Sequence, residues 1–256
     1  MLTTTCEFIK RSSDKGILNM QQVIQGIIVH SIRYSDHRFI SRIFCKTHGL
    51  KTFLVSGGPK QKSNVINLLQ PLNIVEFEGA PRENVQIQSL KNLRMAHALH
   101  QIHSDPVKSA MVMFLNEVIY KTMADDYVND HFYQFLRNAV ELLDDSIDAR
   151  NFHIWCLLEI SRHYGFYPQK ENVSGYFDLS LSEFVKDEPP HPYFIAKEES
   201  TMLAELLDLE WPQVQPLPMH GLMRKNLLNS LVTYIKLHLE NQREIHSLEI
   251  LHEVFH

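Results

Sequence analysis

Val23-Ile24-Gln25-Gly26-Ile27-Ile28-Val29 is the stretch on which the reading of this 256-residue chain turns: an apolar, β-branched run with the look of a buried strand. A second run follows at Phe39-Ile40 and Ile43-Phe44. A third, Lys51-Thr52-Phe53-Leu54-Val55, comes just after the turn signal His48-Gly49. Leu72-Asn73-Ile74-Val75-Glu76-Phe77-Glu78 then alternates apolar and polar residues at period two. Glycines at 49, 57 and 58 and prolines at 59 and 71 punctuate these runs. Several short strands packed into so little chain predict a small barrel or sandwich. Upstream, residues 1–19 hold no sustained period and are expected to form a loose extension.

Beyond Pro81 the period changes to that of helices. Asp105-Pro106 reads as an N-cap with proline at the first helical position, opening a helix with Met111, Phe114, Leu115, Val118 and Ile119 on one side. Asp130 is the expected cap of the next helix, which carries Phe132, Phe135, Leu136, Ala139 and Leu143. A third runs from about Asn151 and stops at Gly165, with Pro168 beyond. Residues 166–196 are irregular and rich in Pro, Tyr and Phe. Helical pattern returns at 197–209, 220–241 and 247–255. The fold class is therefore α+β and multidomain: a β-barrel over 20–82, then a larger all-α helical domain over 83–256 with an irregular insert at 166–196.

With 44% hydrophobic and 21% charged residues the composition is that of a globular protein. Three widely spaced cysteines, Cys6, Cys45 and Cys156, point to neither a disulfide framework nor a cysteine zinc site, and a reducing cytoplasm fits best. No apolar run is long enough to span a membrane and the N-terminus lacks an apolar signal core, so neither spanning nor export is expected. Lys and Arg total 25 against 30 Asp and Glu, a formal charge of -5. That balance excludes a uniformly basic coat but not a local one.

A local one is present. Between Arg33 and Lys62 the cations Arg33, Arg38, Arg42, Lys46, Lys51, Lys60 and Lys62 face the single acid Asp36. Tyr34, Phe39, Phe44 and Phe53 are interleaved with them. Cations beside exposed rings on a barrel are a common device for single-stranded nucleic acid, neutralising phosphates and stacking on bases. The other reading is that Phe39, Phe44 and Phe53 fill the barrel and the cations only solvate its outside; Phe44 and Phe53 lean that way. Ser56-Gly57-Gly58-Pro59-Lys60-Gln61-Lys62-Ser63 fails as a phosphate loop, because the glycine and lysine spacing is wrong and Pro59 removes an amide donor. His97, His100 and His103 would share a helix face, but no further ligand accompanies them and no metal is expected. The acid pairs Asp125-Asp126 and Asp144-Asp145 read as capping residues. No nucleophile, base and oxyanion site is assembled, so no enzyme activity and no cofactor are expected.

Gly26-Ile27-Ile28-Val29-His30-Ser31, Tyr34-Ser35-Asp36, Ile43-Phe44 with Gly49, Phe53-Leu54-Val55-Ser56-Gly57 and Leu69-Gln70-Pro71-Leu72 together resemble, in order and spacing, the N-terminal OB-fold of the RecO family of recombination mediators. Asn116-Glu117-Val118-Ile119-Tyr120 is similar to the family's first long helix. Arg150 with Phe152, Leu157, Leu158 and Gly165 is similar to a later one, and His246-Ser247-Leu248-Glu249-Ile250-Leu251 to the C-terminal segment. The resemblance implies an N-terminal OB-fold β-barrel in a non-enzymatic DNA-repair protein of the cytoplasm, associated with the nucleoid. Such a protein binds single- and double-stranded DNA, anneals complementary strands, and acts with RecR to load RecA onto strands coated by single-stranded DNA-binding protein. DNA contacts are expected at the seven cations above, extended by Arg224 and Lys225 on the helical domain. For the acidic, apolar-ended tail of single-stranded DNA-binding protein the candidates are Arg150, which matches the family's arginine, with Phe152, Leu157 and Arg162. Two departures stand out: the four-cysteine zinc module of many relatives has no counterpart in 166–196, and the family's basic Lys-Ser-Arg piece is here His246-Ser247-Leu248. The competing reading is an OB-fold scaffold for a protein or RNA, without annealing activity.

Overall fold

A computed structural model describes residues 22–57, 62–82, 85–124, 127–240 and 243–255, with the side chains of 62 and 63 excepted. The expected extension at 1–19 lies outside them. Three long strands, β1 (Gln22–Ser35), β2 (Arg38–Cys45) and β3 (Gly49–Ser56), form an antiparallel meander. A short helix, α1 (Lys62–Leu68), follows and leads to β4 (Ile74–Gly79), which pairs antiparallel with β1. The alternating segment at 72–78 enters the sheet only at Ile74, because Leu72 sits at φ 58, where no strand can run. β5 (Gln88–Ser89) pairs parallel with β3, and β6 (Lys91–Met95), one residue later, pairs antiparallel with β4. The two ends of the sheet thus meet through consecutive residues, and the sheet curls in the OB manner. Its strands run past residue 82, so the barrel is longer than sequence periodicity implied. The side chain of Gln88 in β5 both accepts from Arg82 N and donates to Arg82 O.

The helical part starts with α2 (Pro106–Thr122), α3 (Asp130–Asp145) and α4 (Phe152–Tyr164). Asp105 caps α2 by accepting from Val107 N and Lys108 N, with Pro106 at the first position, as its sequence dictates. The cap of α3 is Asn129, which accepts from Phe132 N; Asp130 is already helical. Gly165 ends α4 at φ 87, a conformation open to a residue without Cβ. The segment 166–196 is not structureless: β7 (Tyr176–Asp178), β8 (Glu183–Val185) and β9 (Phe194–Ile195) form a small sheet of order β8-β7-β9. Then come α5 (Lys197–Leu206), α6 (Trp211–Val214), α7 (Gly221–His238) and α8 (Ser247–Val254). His97, His100 and His103 lie in a non-helical connection rather than along one helix face. That connection is fixed by the buried carboxylate of Asp144, which accepts from His100 N, Gln101 N and Ile102 N at 2.7 Å each.

Strand alternation gives the barrel two apolar surfaces. Ile28, Phe39, Ile43, Phe53 and Val55 point inward and make a core of their own, with Phe53 and Phe77 edge to face at 4.9 Å. Ile27, Val29, Phe44 and Leu50 point outward at one end, into the core of the helices, where Phe44 meets Phe132 and Tyr133 at 6.0 and 5.8 Å. The barrel and the helices therefore share a core. Val29 is the extra residue of a bulge between Ile28 and His30, and its carbonyl, freed from the ladder, accepts from Asn116 Nδ2 of α2 at 2.7 Å. At Gly49, φ 67, a Cβ would stand 2.6 Å from the Tyr127 carbonyl oxygen, so only glycine permits this approach of β3 to the helical part.

The chain's last helix is held by a carboxylate. Glu117 of α2 accepts from the backbone N–H of His246 and Ser247, from Ser247 Oγ and from Lys121 Nζ. Burial pushes its pKa up, but the bonds from Lys121, Ser247 and His246 outweigh that and bring it down to about 2.

Two measurements test these joints. Asn116→Ala orphans the Val29 carbonyl at the junction and should lower the unfolding free energy in urea by about 1–3 kcal/mol; an unchanged transition would show the bond to be dispensable. Because Glu117 is more acidic folded than unfolded, its stabilisation is present above its unfolded pKa near 4.5 and is lost as pH falls from there toward 2. Protection of the α8 amides, taken relative to their intrinsic exchange at each pH, should fall through that window in the native protein, whereas Glu117→Gln should show low protection already at neutral pH and respond far less to acid.

Candidate nucleic-acid interface

Away from the helices, the outward side of β1, β2 and β3 is open, and its side chains fall into cross-strand rows set by register. His30, Arg42 and Thr52 form one row. Ile32, Ile40 and Leu54 form the next, and Ser35, Arg38 and Ser56 the last. An aliphatic row thus lies between two rows that each carry an arginine. At the helical border the His30 ring stacks on Tyr120 of α2, with centroids 4.3 Å apart and planes at 16°, and the Arg42 guanidinium lies 5.3 Å from the same ring. Burial, then the Arg42 charge, lowers the pKa of His30, so the ring is neutral at pH 7.

Period two divides the cations that proximity in sequence had grouped. Arg38 and Arg42 share the outward face. Lys51 is opposite Ile43 and Arg33 opposite Phe39, both on the inward parity. Arg33 is also paired with Asp36 at 2.6 Å across the hairpin turn. Lys46 follows the last residue of β2, and its N–H bonds to Gln25 O. Lys60 lies outside the described residues, and Lys62 begins α1 with its side chain undescribed. The aromatic residues also separate: Phe39, Phe44 and Phe53 are core, while Tyr34 is 64% exposed. On the far side of β1, Glu76 of β4 is paired with Arg94 at 2.6 Å.

A second concave site lies on the helical part. A cavity of about 580 Å³ opens between the turn before α4 and the proline-bearing segment before α7, lined among others by Arg150, Asn151, Pro216, Pro218, His220 and Arg224. Arg224, only 9% exposed, donates from Nε to Asn151 Oδ1 and from Nη2 to Met219 O, and lies 5.7 Å from the centre of the Phe255 ring. Asn151 in turn donates to Val214 O and Leu217 O, fixing the segment that forms the cavity's far wall. Arg150 is exposed and held by Asp148.

Among the candidates for partner contact, Arg150 lines a cavity, whereas Phe152 and Leu157 sit in the core at 1% exposed each, Phe152 packing edge to face on Trp211 at 4.8 Å. Their apolar character follows the inward stripe of α4. Arg162 lies at the far end of α4, over the Tyr167 ring at 3.8 Å and paired with Glu159 at 3.2 Å. Arg224 is placed as a hydrogen-bonded wall of the cavity, while Lys225 beside it is half-buried. Asn151, His220 and the 215–220 wall escaped sequence reading; Gln215-Pro216-Leu217-Pro218, a break between helical patterns, was the available signal.

The chain matches the family models described as Recombination protein O N terminal, over residues 20–99, and Recombination protein O C terminal, over residues 103–248. It is 30% identical over 240 residues to the DNA repair protein RecO of Flavobacterium psychrophilum, covering 92% of this chain and 100% of that one. The DNA repair protein RecO of Flavobacterium johnsoniae is 30% identical over 239 residues, and that of Phocaeicola vulgatus 30% over 240, with the same shares covered. Among the described residues no helix is long and apolar enough to cross a membrane.

Proposed function

Given that the chain belongs to the recombination protein O family, and so has a role in DNA repair and recombination, we propose that it is a non-enzymatic mediator that binds single- and double-stranded DNA and anneals complementary strands. It acts in the cytoplasm at the nucleoid, with RecR, to load RecA onto strands coated by single-stranded DNA-binding protein. The observation that carries the DNA reading is the outward face of β1–β3, where Arg38 and Arg42 stand on either side of the Ile32–Ile40–Leu54 row. Two guanidinium groups flanking an aliphatic strip suit a strand whose phosphates lie along the cations and whose bases rest on apolar surface. Lys46, Lys60, Lys62 and Lys225 are further candidates for phosphate contact. Annealing requires cancelling the repulsion of two phosphate backbones, and screening by fixed cations does so without chemistry.

The cavity is the proposed seat of the acidic, apolar-ended tail of single-stranded DNA-binding protein. Arg150 and Arg224 offer two guanidinium groups for carboxylates beside the apolar walls of Pro216, Leu217, Pro218 and Met219.

Charge reversal separates face from bulk charge. Arg38→Glu with Arg42→Glu should weaken oligonucleotide binding at least tenfold and flatten its dependence on salt, while Arg33→Glu, already paired with Asp36, should do much less. Equal losses from both would remove the outward face from the interface. The native protein should also accelerate annealing of complementary oligonucleotides, with and without single-stranded DNA-binding protein; a scaffold for protein or RNA would accelerate neither.

A further inference from the structure

The Arg150 side of the cavity carries its own anion. Asp148, two residues earlier, takes Arg150 Nε on both carboxylate oxygens at 3.0 Å and Nη2 on Oδ2 at 2.5 Å, and also accepts the Arg150 backbone N–H at 3.0 Å. That is the fork a carboxylate ligand would use. Hydrogen bonds from Arg150, with the charges of Arg150 and Arg224, hold Asp148 below the usual carboxylate range despite partial burial. It is therefore ionised whenever the cavity would meet a ligand. Asp148 feels Arg224 as well as Arg150, so one negative charge is set against both cations of the site. Glu198 lies 3.7 Å from His220 of the lining.

We propose that Asp148 is a built-in competitor: an internal carboxylate that occupies the Arg150 fork, must be displaced by an incoming acidic peptide, and so sets both the affinity and the charge requirement of the cavity. This rests on the reading of the cavity as the seat of an acidic, apolar-ended tail. The physics fixes the sign. An exposed ion pair of this kind contributes at most about fivefold to an equilibrium constant, so a ligand can break it. The aspartate's charge also repels every approaching carboxylate, and the repulsion is screened by salt. A ligand with one carboxylate only exchanges one partner of Arg150 for another, whereas one with several gains Arg224 in addition. The cavity thereby selects for clustered negative charge.

The test is a variant that should bind more tightly, an outcome misfolding cannot imitate. Asp148→Asn keeps the shape of the side chain and the oxygen that accepts the Arg150 N–H, and removes the charge. Binding is read by fluorescence anisotropy of a labelled peptide with three consecutive aspartates and a C-terminal phenylalanine. Asp148→Asn should bind it about three- to tenfold more tightly at low salt, with the gain shrinking in 0.5 M salt. A peptide with asparagine in place of the aspartates should show no gain, and neither should oligonucleotide binding. Unchanged or weaker peptide binding by Asp148→Asn, alongside loss of binding in Arg150→Ala, would overturn the competitor and assign Asp148 to orienting Arg150 instead. Undiminished binding by Arg150→Ala would overturn the cavity's assignment itself, and the competitor with it.

Discussion

The carbonyl of Val29 has no partner in its own sheet. A bulge in β1 turns it out of the ladder, at the end of the barrel where Ile27, Val29, Phe44 and Leu50 face outward, and a buried carbonyl left there would cost about 1–3 kcal/mol. Asn116 of α2 supplies the donor, and the apolar side chains around it require a second apolar surface. Much else follows from that need. The helices must pack on this end of the barrel and leave the other open; Gly49 must lack a Cβ for Tyr127 to approach; and the connection at 96–104 must turn tightly, which Asp144 achieves by collecting three of its amides.

What the sequence made legible were features whose cause is local. β1, β2 and β3 could be read because β-branched and aromatic residues recur where the pleat faces a core. α2 and α4 could be read from Asp105-Pro106 and Gly165, each acting on the backbone beside it. Features that depend on a distant partner could not. β5 and β6 are two and five residues long, and their pattern is weak because closure of the sheet, not their own composition, makes them strands. β7, β8 and β9 are as short, and the proline-rich segment between β8 and β9 hides them. α1 lies between Pro59 and Pro71, where punctuation masks a helix of two turns.

The candidate sites divide on the same principle. Seven cations within thirty positions look like one patch in sequence, but a strand sends neighbours to opposite faces, and only register shows that Arg38 and Arg42 stand together. Arg150 and Arg224 are far apart in sequence and meet through Asn151. A net charge of -5 therefore says little: Glu76 is spent on Arg94 and Asp36 on Arg33, so the field over any face is set by which charges remain uncompensated there.

The shared core also bears on how the molecule can be taken apart. Small barrels of this kind are often thought of as portable cassettes, but a fragment ending after β6 would present Ile27, Val29, Phe44 and Leu50 to water as one greasy end, beside an unsatisfied carbonyl. The helical part cut free would bare the complementary surface of α2 and α3. The outward strand face and the arginine-lined cavity are consequently joined through one continuous core. On the proposed function, a strand on one and a tail in the other would be joined through that single core, as in a jig rather than as two beads on a string.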